Sequence, residues 1–177
     1  MTLRFGTDGV RGVANIDLTP ELVLALGRAA ARVLPGKRFL IGRDTRRSGP
    51  MREAALAAGL ASEGVDVELV GVLPTPAVAW WSAQEDVPAA VISASHNPYA
   101  DNGIKLFAAG GLKLSDAVEE ELEAELDRLL HGTAPTGVDV GEIRTRHGVD
   151  VAYVQWLTAG SNRLDGVKVV LDCANGA

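Results

Sequence analysis

The chain has 177 residues and a formal net charge of −6, and 47% of it is hydrophobic although only 5% is aromatic. That size admits one domain or one domain with part of a second, with Ala, Val and Leu filling the core. The acidic balance argues against non-specific nucleic-acid binding, and no apolar run approaches the length that spans a membrane.

In chain order, the first clear element starts at Thr19-Pro20-Glu21. Threonine at the N-cap, proline at the first helical position and an acid in the first turn all favour a helix start. Leu22, Val23, Leu26, Ala30 and Val33 give the helix one apolar face, and Pro35-Gly36 ends it. Phe39-Leu40-Ile41-Gly42 reads as a short buried strand. Ser48 or Gly49 opens a second, alanine-rich helix that stops near Gly64. From Val65 to Val72, Val67, Leu69 and Gly71 alternate against Asp66 and Glu68, which predicts a strand. Pro74-Thr75-Pro76 breaks it, and Ala77 to Gln84 is expected to be helical. Trp80 and Trp81 cannot share one helix face, so one of them is expected against a neighbouring surface, as packing rather than as a sugar platform.

Ala89-Ala90-Val91-Ile92 predicts a buried strand that runs into Ser93-Ala94-Ser95-His96-Asn97-Pro98-Tyr99-Ala100-Asp101-Asn102-Gly103. Asn-Pro and Asn-Gly mark a tight loop. Ser95, with His96 beside it, thus falls at a strand end, where open α/β sheets place ligand sites. Lys105 follows across the loop. A hydroxyl, a titratable neighbour and a cation are parts that phosphoryl transfer needs, although the same residue types are ordinary turn formers. A serine hydrolase is not expected, because it would need a distant acid and histidine that nothing in the sequence identifies. Ile104 to Phe107 predicts a strand, and Gly110-Gly111 a hairpin to Leu112-Lys113-Leu114, making the sheet mixed. Asp116 and Glu119 predict a capping box for a helix striped by Val118, Leu122, Leu126, Leu129 and Leu130.

His131 to Gly141 reads as a linker, Glu142 to Arg146 as a short strand, and Val149 to Gly160 as a helix with Tyr153, Trp156 and Leu157. Val167 to Leu171 predicts a buried, parallel-type strand. The lone Cys173 forms no internal disulfide, and no signal peptide is evident; both fit a reducing, cytoplasmic setting. Alternating strands and helices predict an α/β domain of layered type.

The string from Ile92 to Lys105 resembles the phosphoserine loop of the α-D-phosphohexomutase superfamily. Three further strings match in family order: Phe5-Gly6-Thr7-Asp8-Gly9-Val10-Arg11-Gly12, Gly42-Arg43-Asp44-Thr45-Arg46-Arg47-Ser48-Gly49 and Val169-Val170-Leu171-Asp172-Cys173-Ala174-Asn175-Gly176-Ala177. The resemblance implies a three-layer α-β-α domain with a mixed, mainly parallel sheet over residues 1–147, and the start of a second domain over 148–177. It is strongest with the bacterial branch that interconverts glucosamine 6-phosphate and glucosamine 1-phosphate, leading to UDP-N-acetylglucosamine. Branches acting on mannose or glucose phosphates are the alternative, and a non-catalytic module a further one.

By this resemblance Ser95 is the phosphoserine and one oxygen ligand of a magnesium ion. Lys105 is the general acid/base, and His96 and Arg11 are catalytic neighbours. Thr7, Asn97 and Arg46 contact substrate or phosphate. Because a lysine is ordinarily protonated at neutral pH, that base role needs a neighbouring cation or burial to favour the neutral amine. Ser93 is expected to be structural. A hexosamine or hexose 1,6-bisphosphate is the implied intermediate or activator, and a sugar monophosphate the substrate. The family's aspartate-rich magnesium loop, its sugar-reading loop and its phosphate-binding loop find no counterpart in this sequence. The chain is therefore expected to be an N-terminal portion, inactive without the remaining domains.

Overall fold

A computed structural model describes residues 5–6, 9–129, 137–161 and 165–172. The element order is β1 (Val10–Val13), α1 (Pro20–Val33), β2 (Arg38–Arg43), α2 (Gly49–Ser62), β3 (Asp66–Val72), α3 (Thr75–Glu85), β4 (Ala89–Ile92), β5 (Asp101–Ala108), β6 (Leu112–Lys113), α4 (Asp116–Leu129), β7 (Ile143–Thr145) and α5 (Val149–Thr158). The strands form one seven-stranded sheet in the order β1-β5-β4-β2-β3-β7, with β6 beside β5. β4, β2, β3 and β7 pair in parallel, while β5 pairs antiparallel with β4, β1 and β6. Among the described residues, β5 therefore runs against the other six strands, and the sheet is mixed but mainly parallel, as expected.

Two apolar clusters sandwich the sheet. On one face Ile41, Val67, Ala90, Ile92, Ile104 and Leu106 pack against α1, α2 and α4. On the other face Leu40, Val70, Ala89, Val91 and Phe107 meet Ala77 and Val78 of α3 and Val149 of α5. All four residues of β4 are buried, which explains an unbroken apolar run in place of alternation. The alternation predicted for β3 holds only to Leu69. The register with β2 then skips Val70, so that Gly42 meets Gly71 at a bulge and Val70 turns to the α3 face.

Local signals explain most boundaries. The Thr19 side chain accepts a hydrogen bond from the Leu22 amide at 3.3 Å, with Pro20 in the first turn of α1. Where α1 crosses α2, Gly27 and Gly59 face each other, and a Cβ on either would sit under 3.0 Å from the other helix's backbone. The hairpin after β5 turns through Gly110 and Gly111, both at positive φ. α3 begins at Thr75, two residues before the predicted start, because Pro74 and Pro76 fit a helix N-terminus. Both tryptophans serve packing: Trp80 lies 5.4 Å from Trp156 and 5.6 Å from Tyr153, and Trp81 lies under the Arg146 guanidinium.

Four expectations are corrected. The capping residue of α4 is Ser115, whose oxygen accepts from the Val118 amide, so Asp116 is the first helical residue and the Asp116–Glu119 box does not form. Arg11 lies in β1, a strand absent from the predicted elements, because the edge of β5 supplies a ladder for Val10–Val13. Val167–Leu171 joins no strand of the described sheet and is exposed, Val170 at 98%. An apolar run becomes a strand only where an edge offers hydrogen bonds, and this one pairs with none among the described residues. The strand predicted from Ile104 starts earlier, at Asp101. The linker segment 131–136, Leu130 and Cys173 lie outside the described residues. Among the described residues, no helix is long and apolar enough to cross a membrane.

Candidate active site

The site forms where parallel strands β2 and β4 end side by side. The Asp44 amide donates to the Ile92 carbonyl at 3.0 Å, closing the ends together. The Ser93 amide donates to the Gly103 carbonyl of β5 at 2.9 Å. The chain from Ala94 to Ala100 then loops out before returning as β5. Ser95 stands at the tip with φ 54° and an exposed side chain. A left-handed backbone is uncommon for a residue with a Cβ and is strained relative to glycine. It turns the Ser95 hydroxyl to solvent, with Oγ 3.4 Å from His96 Nδ1.

Beneath the loop lies Arg46, 1% exposed. Its Nε donates to Asp44 Oδ2 at 3.0 Å. Its Nη2 donates to the carbonyls of Ser95 at 2.9 Å and Asn97 at 2.8 Å, and its Nη1 to those of Pro98 and Asp101. The buried cation is therefore both ion-paired and fully hydrogen-bonded, the condition under which a charge is tolerated inside a protein. Sequence reading made Arg46 a substrate or phosphate contact. The fold instead encloses its guanidinium and commits it to the protein, so that it lies behind the loop.

Asp44, 2% exposed, takes a second bond from the Ser93 hydroxyl at 2.8 Å and a third from the Arg46 amide at 3.0 Å. Ser93 Oγ in turn accepts from the Ser95 amide at 3.0 Å. Ser93 is structural, as expected, and Asp44 is the residue that sequence reading did not single out. Its signal lay in the Gly-Arg-Asp-Thr-Arg string, which brings the carboxylate and Arg46 together two residues apart.

Four other contacts brace the loop. Arg11 Nη1 donates to Asn97 Oδ1 at 3.2 Å, and Asn97 Nδ2 to Asp101 Oδ2 at 3.2 Å, so Arg11 and Asn97 are brought together on the loop. The Arg47 amide donates to the Tyr99 hydroxyl at 3.0 Å. Buried Asn102 donates to Ser48 Oγ at 2.8 Å, tying the start of β5 to α2. Below Ser48, Arg52 is fully buried, donating to the carbonyls of Ser48 and Leu18, and burial pushes its guanidinium pKa down.

Lys105 is on the same sheet face as Gly103, opposite Val91. It lies two residues, about 7 Å, along β5 from the level of Ser93. Its ammonium is 5.9 Å from the Phe107 ring centroid. A separate open cleft of about 270 Å³ is lined by Ser95, Ser93, Asp44, Leu73, Pro74, Thr75 and Pro76. Lys105 is thus near the loop but does not line the Ser95 cleft. Thr7 lies outside the described residues.

Among the described residues, no group of three or more His, Cys, Asp or Glu side chains could hold a metal ion. Asp44, which lines the same cleft as Ser95, is occupied by Arg46 and Ser93. These residues offer a magnesium ion at most the Ser95 oxygen, which does not make a site. The arrangement is an exposed serine hydroxyl on a braced loop, with a histidine beside it and an arginine bonded to the loop through Asn97.

Residues 2–131 match the family described as phosphoglucomutase/phosphomannomutase, alpha/beta/alpha domain I. The chain is 55% identical over 181 residues to the phosphoglucosamine mutase of Rhodococcus opacus (strain B4), covering 98% of this chain and 41% of that protein. It is also 55% identical over 186 residues to the phosphoglucosamine mutase of Thermobifida fusca (strain YX), covering 100% of this chain and 41% of that protein. The chain thus spans about two fifths of the length of these relatives. A crystal structure of a phosphoglucomutase/phosphomannomutase family protein from Burkholderia thailandensis superposes with a TM-score of 0.73 at 29% identity, covering 88% of this chain and 35% of that one.

Proposed function

Since the chain belongs to the phosphoglucomutase/phosphomannomutase family and carries its domain I, we propose that Ser95 is the phosphoryl carrier of a hexosamine phosphate mutase. The observation that carries this reading is the exposed Ser95 hydroxyl on a left-handed, braced backbone at the end of a parallel strand. The names of the relatives favour glucosamine 6-phosphate and glucosamine 1-phosphate as the interconverted pair.

In one half-reaction the bond from Ser95 Oγ to phosphorus breaks as a sugar hydroxyl oxygen bonds to that phosphorus. The hydroxyl proton leaves to a base, for which Lys105 is the candidate. The resulting bisphosphate reorients. Its other phosphoryl group then passes to Ser95 Oγ, and the sugar oxygen that it leaves regains a proton. A phosphoserine carries roughly −1.5 to −2 charges near neutral pH, so cations must face it. Arg11, drawn to the loop through Asn97, and His96, beside Ser95 Oγ, are suited to that role. A magnesium ion would neutralise charge on the phosphoryl oxygens when bound, with its carboxylate ligands supplied from outside this chain.

We assign residues 1–147 to the phosphoserine domain and 148–177 to the start of the next, within a four-domain enzyme. By this reading the 177-residue chain alone does not turn over substrate, which a direct assay of the chain checks. The decisive experiment is peptide mapping of the complete enzyme after exposure to glucosamine 1,6-bisphosphate. A phosphoryl group on Ser95, lost together with mutase activity in Ser95→Ala, is the expected result. An active enzyme phosphorylated reproducibly elsewhere overturns the assignment.

A further inference from the structure

Resting on the reading of Ser95 as phosphoryl carrier, we propose that Asp44, Arg46 and Ser93 act as one positioning unit. The unit fixes the left-handed backbone of Ser95 and so sets the rate of transfer at its Oγ, without supplying an atom to the reaction. Two bonds do this. The Ser95 amide is held by Ser93 Oγ at 3.0 Å and the Ser95 carbonyl by Arg46 Nη2 at 2.9 Å. One bond restrains rotation about N–Cα and the other about Cα–C, the two soft dihedrals of the residue. Asp44 joins the two holders. Its Oδ2 accepts from both Arg46 Nε and Ser93 Oγ, so the Ser93 hydrogen points at Asp44 and its lone pair at the Ser95 amide. Losing any member frees a dihedral that relaxes toward the right-handed or extended region. The same arrangement commits the Ser95 amide to Ser93 Oγ rather than to an incoming phosphoryl group. The hydroxyl is therefore aimed by the unit, and the charge on phosphorus is met by other groups.

The test is kinetic and is made in the complete enzyme. Ser93→Ala removes the link while leaving Arg46 and Asp44 paired. Its kcat is expected to fall about 10- to 100-fold with KM changed by less than roughly threefold, since misplacement of a reacting group by ~1 Å carries penalties of that order. Ser93→Thr, which keeps the hydroxyl and can extend its methyl group into the adjoining cleft, is expected to recover most of the lost kcat. Combining Ser93→Ala with Arg46→Lys is expected to give less than the product of the single losses, because the residues act together. Should Arg46→Lys fail to fold, the two Ser93 variants decide alone. In the 177-residue chain, Ser93→Ala should also speed hydrogen exchange at the Ser95 amide. Wild-type kcat in Ser93→Ala, a loss expressed in KM, or no recovery in Ser93→Thr overturns the positioning unit. A wild-type enzyme that turns over with phosphate mapped away from Ser95 defeats the carrier reading itself, and the unit's proposed role with it.

Discussion

Ser95 can be separated into its backbone and its hydroxyl by substitution. Its φ of 54° is a left-handed value, which a Cβ disfavours by roughly 1–2 kcal/mol relative to glycine. Glycine loses part of that advantage, about 0.4–1 kcal/mol, through the greater freedom of the unfolded chain. The Ser95 side chain is exposed and, among the described residues, its Oγ meets only His96, at 3.4 Å, so removing the hydroxyl affects both variants alike. Ser95→Gly should therefore exceed Ser95→Ala in stability by about 1 kcal/mol, or about 2–4 °C in Tm for a domain of this size. Ser95→Asn should fall between them, because asparagine tolerates the left-handed region. Urea unfolding followed by fluorescence of Trp80, Trp81 and Trp156 measures the difference, with equal m-values required. An alanine variant as stable as the glycine variant would refute the account of strain at Ser95. None of the three variants can carry a serine phosphoryl group, so stability and activity should part company across the series.

Gly59→Ala should destabilise by about 1–2 kcal/mol despite alanine's better helix propensity, because its Cβ would press on the Leu24 carbonyl of α1. A thermal melt showing stabilisation would contradict the close helix crossing. Trp80→Ala should cost about 2–3 kcal/mol, less than for a fully buried tryptophan, by removing the ring against which Tyr153 and Trp156 pack. Hydrogen exchange should show α5 losing protection first, and an α5 unaffected by the change would sink this account of its docking. Glu142 has its pKa lowered by its hydrogen bond to Arg144, with both side chains exposed. The pair's contribution is present above the ordinary glutamate value and is lost as pH falls through the lowered one. Arg144→Ala should thus raise the Glu142 midpoint in an NMR titration, and high salt should bring wild type and variant together.

Elements carried by local chemistry were legible in the sequence. Thr19-Pro20 marked α1, the four-residue apolar run marked β4, and Gly110-Gly111 marked the hairpin. Elements that depend on a distant partner were not. Val10–Val13 lacks a convincing alternation and becomes a strand because β5 offers an edge, whereas Val167–Leu171 has the pattern and finds no edge. At α4 two good capping residues stand side by side, and local sequence does not rank Ser115 above Asp116. The Ser95 loop was readable because its residues are contiguous. Arg46 was misread because its carbonyl acceptors lie 49 to 55 residues further along the chain. Nothing next to an arginine in sequence tells whether it faces solvent or folds inward.

The buried guanidinium grips Ser95, Asn97, Pro98 and Asp101 through main-chain oxygens. Every residue type supplies such an oxygen, so this grip is indifferent to which side chains the loop carries and responds only to the path of its backbone. Ala100, exposed between the gripped positions, is thereby released from holding the loop's shape with its side chain. The surface beside Ser95 can be rewritten there while Ser95 stays where it is.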